Sequence, residues 1–217
     1  MTIKETVKRY VLMIIGNFLI ALGVAMTRHS ELGVTTISSV PNVISLKFTF
    51  LSVGTWLNIW NGLLILAQIL LLGKNFKPSE LLQILVTVLF GWFVDLSMIF
   101  VTKIALSCYL DKLMLVLAGI IIVGVGVSLS FISNVIMNPG EAIVRAIAEK
   151  FNKNIGNVKI VFDFFCVLTA VVLSLIFFNG KVVGVREGTI IAILCTGTIV
   201  KILNKLILKP LNDFLKK

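Results

Sequence analysis

The sequence predicts an all-α polytopic membrane protein: six transmembrane helices arranged as two inverted three-helix repeats. In 217 residues, 58% are hydrophobic and the mean hydropathy is +1.07, which is more apolar surface than one soluble domain of this length can enclose. A span needs about 20 mainly apolar residues. Six stretches meet that length: 9–28, 52–73, 80–102, 113–133, 157–179 and 188–208.

The order of these stretches repeats. In each half, 1–110 and 111–217, the first span is followed by a short segment too polar to span, and then by two more spans. Because three spans per half is an odd number, the second half enters the membrane from the opposite side, so the halves are related by an axis in the membrane plane. We expect each short segment to be amphipathic or re-entrant, and the sequence leaves open whether it lies on the surface or re-enters.

Charge placement predicts the topology. The net charge is +10, and with the N-terminus inside, the inner segments carry more Lys and Arg than the outer ones. This favours a multi-pass protein with both termini cytoplasmic, in contact with the lipid bilayer. It also makes nucleic acid an improbable partner, because the basic residues are explained by topology and by attraction to anionic lipid.

The residues that carry enzymatic or metal chemistry are sparse. Cys108, Cys166 and Cys195 have no paired or ligand-like spacing, and His29 is the single histidine. No metal site and no nucleophile–base set can be assembled from them. We therefore expect no cofactor and no enzymatic activity.

Ionisable residues in the second half are the strongest candidates for a functional site. Lys159 and Asp163 are four residues apart near the start of the fifth span, so they share a helix face and can pair. Glu141 follows Asn138 and the Pro139–Gly140 break at a predicted helix start. The pair could be structural or could bind a substrate or proton, and Glu141 could equally be a helix cap.

The first half supplies a second group of candidates. Asp95 lies deep in the third span without an obvious local partner. The repeat places Lys201 near the equivalent position of the sixth span, so Lys201 either pairs with Asp95 or simply reaches the inner interface. Asn58 and Asn61 lie in the second span and need hydrogen-bond partners. The polar segment before it adds the hydroxyls of Thr35, Thr36 and Ser38. We expect these groups to form the outer side of a site whose inner side is the Asn138–Glu141 break with Lys159 and Asp163.

Glycine-centred motifs resemble those of the YczE/YitT group of small bacterial membrane proteins. They are GNFLIALGVAM, ELGVTTISSVPNVIS, LSVGTWLNIWNGLL and VLFGWFVDL in the first half, and MNPGEAIVRAIAEKFN with the Lys159–Asp163 spacing in the second. The resemblance implies a bacterial plasma-membrane protein of about six spans, in a group without an established activity. It also implies a basic and an acidic residue four apart in the fifth span. Here the basic residue is Lys159 where the group usually has Arg, and the group's glycine pairs are reduced to Gly180 and Gly184.

Inverted repeats with interrupted helices are typical of secondary transporters. The sequence therefore predicts transport of a small polar or charged solute, by alternating access between the two repeats. One alternative is a substrate-binding subunit energised by a separate ATPase, with Ala21–Ala25 as a small-residue docking stretch. Another is a regulatory or assembly protein without a solute. A homodimer and an accessory ATPase complex are the protein partners we consider.

Overall fold

The computed structural model describes residues 3–216, apart from the side chains at 204, 208, 209, 212–214 and 216. This part of the chain is helical without strands, and six of its helices are long and apolar enough to cross a membrane. They are α1 (Ile3–His29), α3 (Val53–Leu72), α4 (Gln83–Val101), α5 (Tyr109–Ser133), α7 (Ile155–Phe177) and α8 (Glu187–Lys216). The six predicted spans are confirmed, with shifts of a few residues at their ends.

Two short helices complete the fold, and each follows the first long helix of its half. They are α2 (Ser39–Lys47) and α6 (Pro139–Phe151). Between α3 and α4 the chain forms two 3₁₀ turns, Gly73–Asn75 and Pro78–Leu82. We call the side on which α1, α4 and α7 begin the N-terminal face, and the other side the opposite face.

The helices α1 and α5 pack antiparallel along a seam of glycines, which holds the two halves together. A Cβ added to Gly16 would lie 2.8 Å from the Gly126 carbonyl oxygen, and one added to Gly23 would lie 2.6 Å from that of Gly119. The glycines are seven residues apart in both helices. Larger side chains would separate the backbones, so this seam depends on close approach rather than on interlocking side chains.

Contacts between the other helices fall into matched pairs. α4 packs on α1 as α8 packs on α5, and α2 packs on α3 as α6 packs on α7. Each short helix also crosses to the other half, α2 onto α7 and α6 onto α3. The match is incomplete, because α4 covers α3 while the described part of α8 makes no comparable contact with α7.

Both short helices begin inside the bundle. The Ser39 hydroxyl, at the start of α2, lies 3.4 Å from the carbonyl oxygen of Cys166, the central residue of α7. At its other end, the ring of Phe48 lies 5.5 Å from that of Phe177, the last residue of α7. The chain therefore enters from the opposite face as far as mid-helix and returns as α2, which is a re-entrant path.

Helix α6 mirrors this course from the N-terminal face. Its first turn meets the turn before α2, since a Cβ on Gly140 would lie 2.8 Å from Ile37 Cδ1. Its last turn returns to the end of α3, where Lys150 Nζ lies 2.5 Å from the Leu71 carbonyl oxygen. The N-terminal ends of the two short helices thus face one another in the interior of the bundle.

Candidate functional site

One ammonium group and two carboxylates meet where the short helices face each other. Lys159 Nζ lies 3.1 Å from Glu141 Oε1 and 3.0 Å from Asp163 Oδ1. The pairing of Lys159 with Asp163 matches their spacing of four residues, whereas Glu141 comes from α6. We call Lys159, Glu141 and Asp163 the central ion cluster.

Local sequence explains why these groups converge. Pro139 occupies the first turn of α6, where its missing N–H costs nothing, and this places Glu141 in that turn. Asn154 caps α7 by accepting the Gly156 amide at 2.9 Å, so α7 begins directly after α6 and carries Lys159 back alongside it. A short connection between two packed helices therefore brings their charged side chains together.

The cluster is largely but not completely enclosed. The side chains of Lys159, Glu141 and Asp163 are 27%, 17% and 12% exposed. Lys159 Nζ and Asp163 Oδ1 are at ion-pair distance, and this carboxylate oxygen has no other donor in the described part of the chain. Lys159 is thus the partner of this carboxylate oxygen among the described residues.

The turn before α2 supplies the polar neighbours from the first half. Thr36 is buried, and its hydroxyl interacts with Asp163. Thr35 donates to the Ser38 hydroxyl at 3.0 Å, which stabilises the turn. Thr36 of the first half thus lies at Asp163 of the second half.

Helix dipoles favour negative charge at this position. The N-terminal ends of α2 and α6 both point at the cluster, and each carries partial positive charge from its free amides. Two carboxylates against one ammonium leave an excess of negative charge when all three groups are ionised. The helix ends and Lys159 together stabilise that excess.

Asn138, the residue before α6, is also at the cluster. Its Oδ1 is buried and has no hydrogen-bond partner among the described residues. A void of about 10 Å³ lies beside Asn138 and Glu141, between α1 and α5, which is at the lower limit for one water molecule. The Asn138 amide oxygen therefore remains available to accept a hydrogen bond beside Glu141.

Asp95 and Asn58 lie apart from the cluster, between α3 and α4. Asp95 accepts the Ser52 hydroxyl at 2.6 Å and the Gly54 amide at 2.8 Å, so it caps the start of α3. Asn58 packs on Gly91, where a Cβ would lie 2.3 Å from its Oδ1.

The pairing of Asp95 with Lys201, one of the two possibilities left open by the sequence, is not formed in the described part of the chain. Lys201 is exposed on α8, and no ion pair joins the two. Repeat equivalence suggested the pair, but the first turn of α3 supplies the donors that Asp95 needs. Asn61, another candidate, lies in the buried stripe of α3.

Sequence reasoning missed a buried amide pair that anchors α6. Gln68 and Gln83 exchange hydrogen bonds of 3.3 and 3.2 Å, and Gln68 also donates to the Pro139 carbonyl at 3.2 Å. Both amides lie in or beside apolar spans. A polar side chain in that position needs a hydrogen-bond partner, and this was the signal in the sequence that could have identified the pair. They join α3, α4 and the start of α6.

A cavity opens on each face of the bundle. The one on the N-terminal face measures about 700 Å³ and is bounded by α6, the end of α3 and the start of α4. The one on the opposite face measures about 530 Å³ and lies between the end of α1, α2 and the segment before α8. The start of α2, the start of α6 and the central ion cluster lie between them.

Comparison with known proteins gives a family but no activity. Residues 7–205 match the model of a family described as "Family of unknown function (DUF6198)". No curated protein matches the chain, and no solved structure does. The match names no YczE/YitT group, so that finer assignment stays a prediction.

Proposed function

We propose that this chain, which belongs to the DUF6198 family of unknown function, is a secondary transporter of a small polar or charged solute. One observation carries the proposal: two re-entrant helices meet end to end at a charged cluster, with a cavity of 700 Å³ on one face and 530 Å³ on the other. Interrupted helices whose ends flank an ion or substrate site are the arrangement used by many secondary transporters.

The central ion cluster suits coupling to a proton or cation. One ammonium shared by two carboxylates can lose one ion pair without leaving Lys159 unpaired. Protonation of Asp163 or Glu141, or binding of a solute cation to either, would remove the excess negative charge. A charge change at the junction of α2, α6 and α7 would alter the attraction that holds these helices together.

The matched helix contacts support alternating access. If the halves are inverted relative to the membrane, the exchange of contacts between them would open one face while it closes the other. The glycine seam of α1 and α5 would serve as the axis of that movement. Because α2 packs on α7 and α6 packs on α3, movement of one half displaces the short helix of the other.

The alternative of an ATPase-energised subunit loses the support of its small-residue stretch. Ala21 and Ala25 are fully buried, and Gly23 lies against Val123 and Gly119 of α5. The small-residue stretch is thus part of the internal seam and leaves no free surface there for docking. A regulatory or assembly role keeps no comparable observation in its favour.

Flux through the purified protein in proteoliposomes tests the proposal. We would measure uptake of radiolabelled phosphate, succinate, glutamate, lysine and glucose, with and without a proton or sodium gradient. We expect gradient-stimulated uptake of at least one solute, reduced roughly tenfold or more in Lys159→Met and Asp163→Asn because a charged contact is lost.

Lys201→Met is the matched control, because it removes an exposed lysine from another span without touching the cluster. It should keep flux within about twofold of the original protein, since exposed charges contribute little. The proposal of transport through this cluster is wrong if no solute enters faster than in empty liposomes. It is also wrong if Lys159→Met and Asp163→Asn transport as well as Lys201→Met.

A further inference from the structure

The guanidinium of Arg28, near the end of α1, has no acidic partner. Its Nη1 donates to Asn42 Oδ1 and, at 2.8 Å, to the Ser45 hydroxyl, and both acceptors are neutral residues of α2. Among the residues that the structure describes, no carboxylate forms an ion pair with Arg28. A partly buried cation of this kind costs free energy unless an anion compensates it.

The remaining edge of the guanidinium is available. Arg carries five donors in a fixed plane, and the Nε and Nη2 groups of Arg28 have no partner in the described chain. Neither nitrogen is among the fully buried atoms that lack partners, so both can be reached. Two parallel N–H groups on one edge match two oxygens of a carboxylate or phosphate.

Arg28 borders the 530 Å³ cavity of the opposite face. The other charged side chains at this cavity are already compensated: Glu31 pairs with Lys112 at 2.5 Å, and Arg186 pairs with Glu187 at 3.1 Å. His29 lies 2.9 Å from the Ile104 carbonyl oxygen through its Nε2. One uncompensated positive charge therefore remains, and it is that of Arg28.

Neighbouring groups hold the guanidinium in place. Asn42 donates to the Gly184 carbonyl at 3.1 Å, which directs its own Oδ1 toward Arg28. Gly184 has a φ of +81°, and a Cβ there would lie 2.9 Å from Asn42 Nδ2. Glycine at this position permits the contact, so the orientation of Arg28 is fixed by α2 and by the segment before α8.

We propose that this cavity is an oxyanion-binding site, in which Nε and Nη2 of Arg28 bind two oxygens of one carboxylate or phosphate group. The volume admits a small organic anion or the phosphate of a lipid headgroup. The site is separate from the central ion cluster, although α2 connects them: Arg28 contacts Asn42 and Ser45 of α2, and the turn before α2 lies at the cluster. Binding here does not depend on whether the chain transports.

The test is anion binding by the purified full-length protein in detergent. Inorganic phosphate and succinate would be titrated against chloride at constant ionic strength, with thermal unfolding followed by tryptophan fluorescence. We expect a saturable stabilisation whose affinity falls roughly tenfold or more in Arg28→Gln, because a charged bidentate contact is lost. The anion affinity of Arg28→Lys should lie between those of the original protein and Arg28→Gln, because lysine keeps the charge but not the planar pair of N–H donors.

Lys103→Gln is the matched control, as it removes one positive charge from the same face but lies outside the cavity. Native mass spectrometry separates the two sources of oxyanion: a phospholipid retained by the original protein and by Lys103→Gln, but lost from Arg28→Gln, identifies a lipid phosphate and supports the site. If neither free anion nor lipid binds, or if Lys103→Gln weakens binding as much as Arg28→Gln, the proposal is overturned. Should Arg28→Gln fail to fold, unchanged affinity in Arg28→Lys would overturn the bidentate contact.

Discussion

Lys159 Nζ lies 3.1 Å from Glu141 Oε1 across 18 residues of sequence, and the same nitrogen lies 3.0 Å from Asp163 Oδ1. One lysine is thus the counterion of carboxylates on two helices. Removing it leaves two acidic groups close together without compensation, whereas removing either acid leaves one ion pair intact.

Lys159→Met should therefore destabilise the protein more than Glu141→Gln or Asp163→Asn does. We expect a loss of about 2–3 kcal/mol, somewhat less than for a fully buried pair because the cluster is partly exposed. Adding Glu141→Gln and Asp163→Asn to Lys159→Met should recover much of that loss, since no buried charge then remains. Thermal unfolding in detergent measures all four variants, and a triple variant no more stable than Lys159→Met would contradict the argument.

The glycine seam predicts a contrast between two Gly→Ala substitutions. At Gly126 a Cβ would lie 2.6 Å from the Gly16 carbonyl oxygen, whereas at Gly62 nothing lies within 4 Å. Gly126→Ala should cost about 1–3 kcal/mol through forced separation of α1 and α5. Gly62→Ala should be neutral or stabilising by up to about 1 kcal/mol, because alanine favours a helix interior. Equal melting temperatures for the two variants would refute this account of the seam.

The pair of buried amides predicts non-additive substitutions. Gln68→Leu should cost about 1–3 kcal/mol, because it leaves the Gln83 amide and the Pro139 carbonyl without their partner. The double variant Gln68→Leu, Gln83→Leu should be less destabilised than the sum of the single changes, since both unsatisfied amides are then gone. A double-mutant cycle by thermal unfolding measures this coupling, and strict additivity would count against it.

The pair of Glu31 and Lys112 predicts a small dependence on pH. The hydrogen bond from Lys112 and the positive charge of Lys112 hold the pKa of Glu31 below its ordinary value of 4.5. A carboxyl whose pKa is lowered by folding stabilises the protein above its unfolded pKa and loses that contribution as pH falls through the folded pKa. Because Glu31 is exposed, the gain is below about 1 kcal/mol.

Comparison of the original protein with Glu31→Gln between pH 7 and pH 3 checks this. We expect the original protein to melt slightly higher at pH 7 and the difference to disappear at the acidic end. A difference that grows on acidification would have the wrong sign and exclude the assignment.

Much of the architecture follows from sequence because it depends on local patterns. Apolar length predicts the six spans, and a spacing of four predicts the contact of Lys159 with Asp163. The repeat predicts that a short polar segment follows the first span of each half. Whether those segments re-enter was open, because that depends on packing against α7 and α3, which belong to the rest of the fold.

The site itself is less accessible to sequence reasoning. Glu141 could be explained as a helix cap, and only its position against α7 makes it the partner of Lys159. Asp95 had no visible partner because Ser52 and the Gly54 amide lie more than 40 residues away. Arg28 carries no functional signal in the sequence, since a basic residue at the end of a span is usual. Only the packing of α2 against Arg28 shows that its partners are the neutral side chains of Asn42 and Ser45 and not an acid.

The glycine contacts of α1 and α5 have the symmetry of a contact between two copies of one helix. Gly16 meets Gly126 while Gly23 meets Gly119, so the equivalent residues of the two helices exchange partners, as they do in an isologous interface between identical subunits. We therefore expect the seam to hold the two halves together without the link between α4 and α5. Co-expression of residues 1–105 and 106–217 as separate chains would test this expectation, and failure of the two chains to co-purify would contradict it.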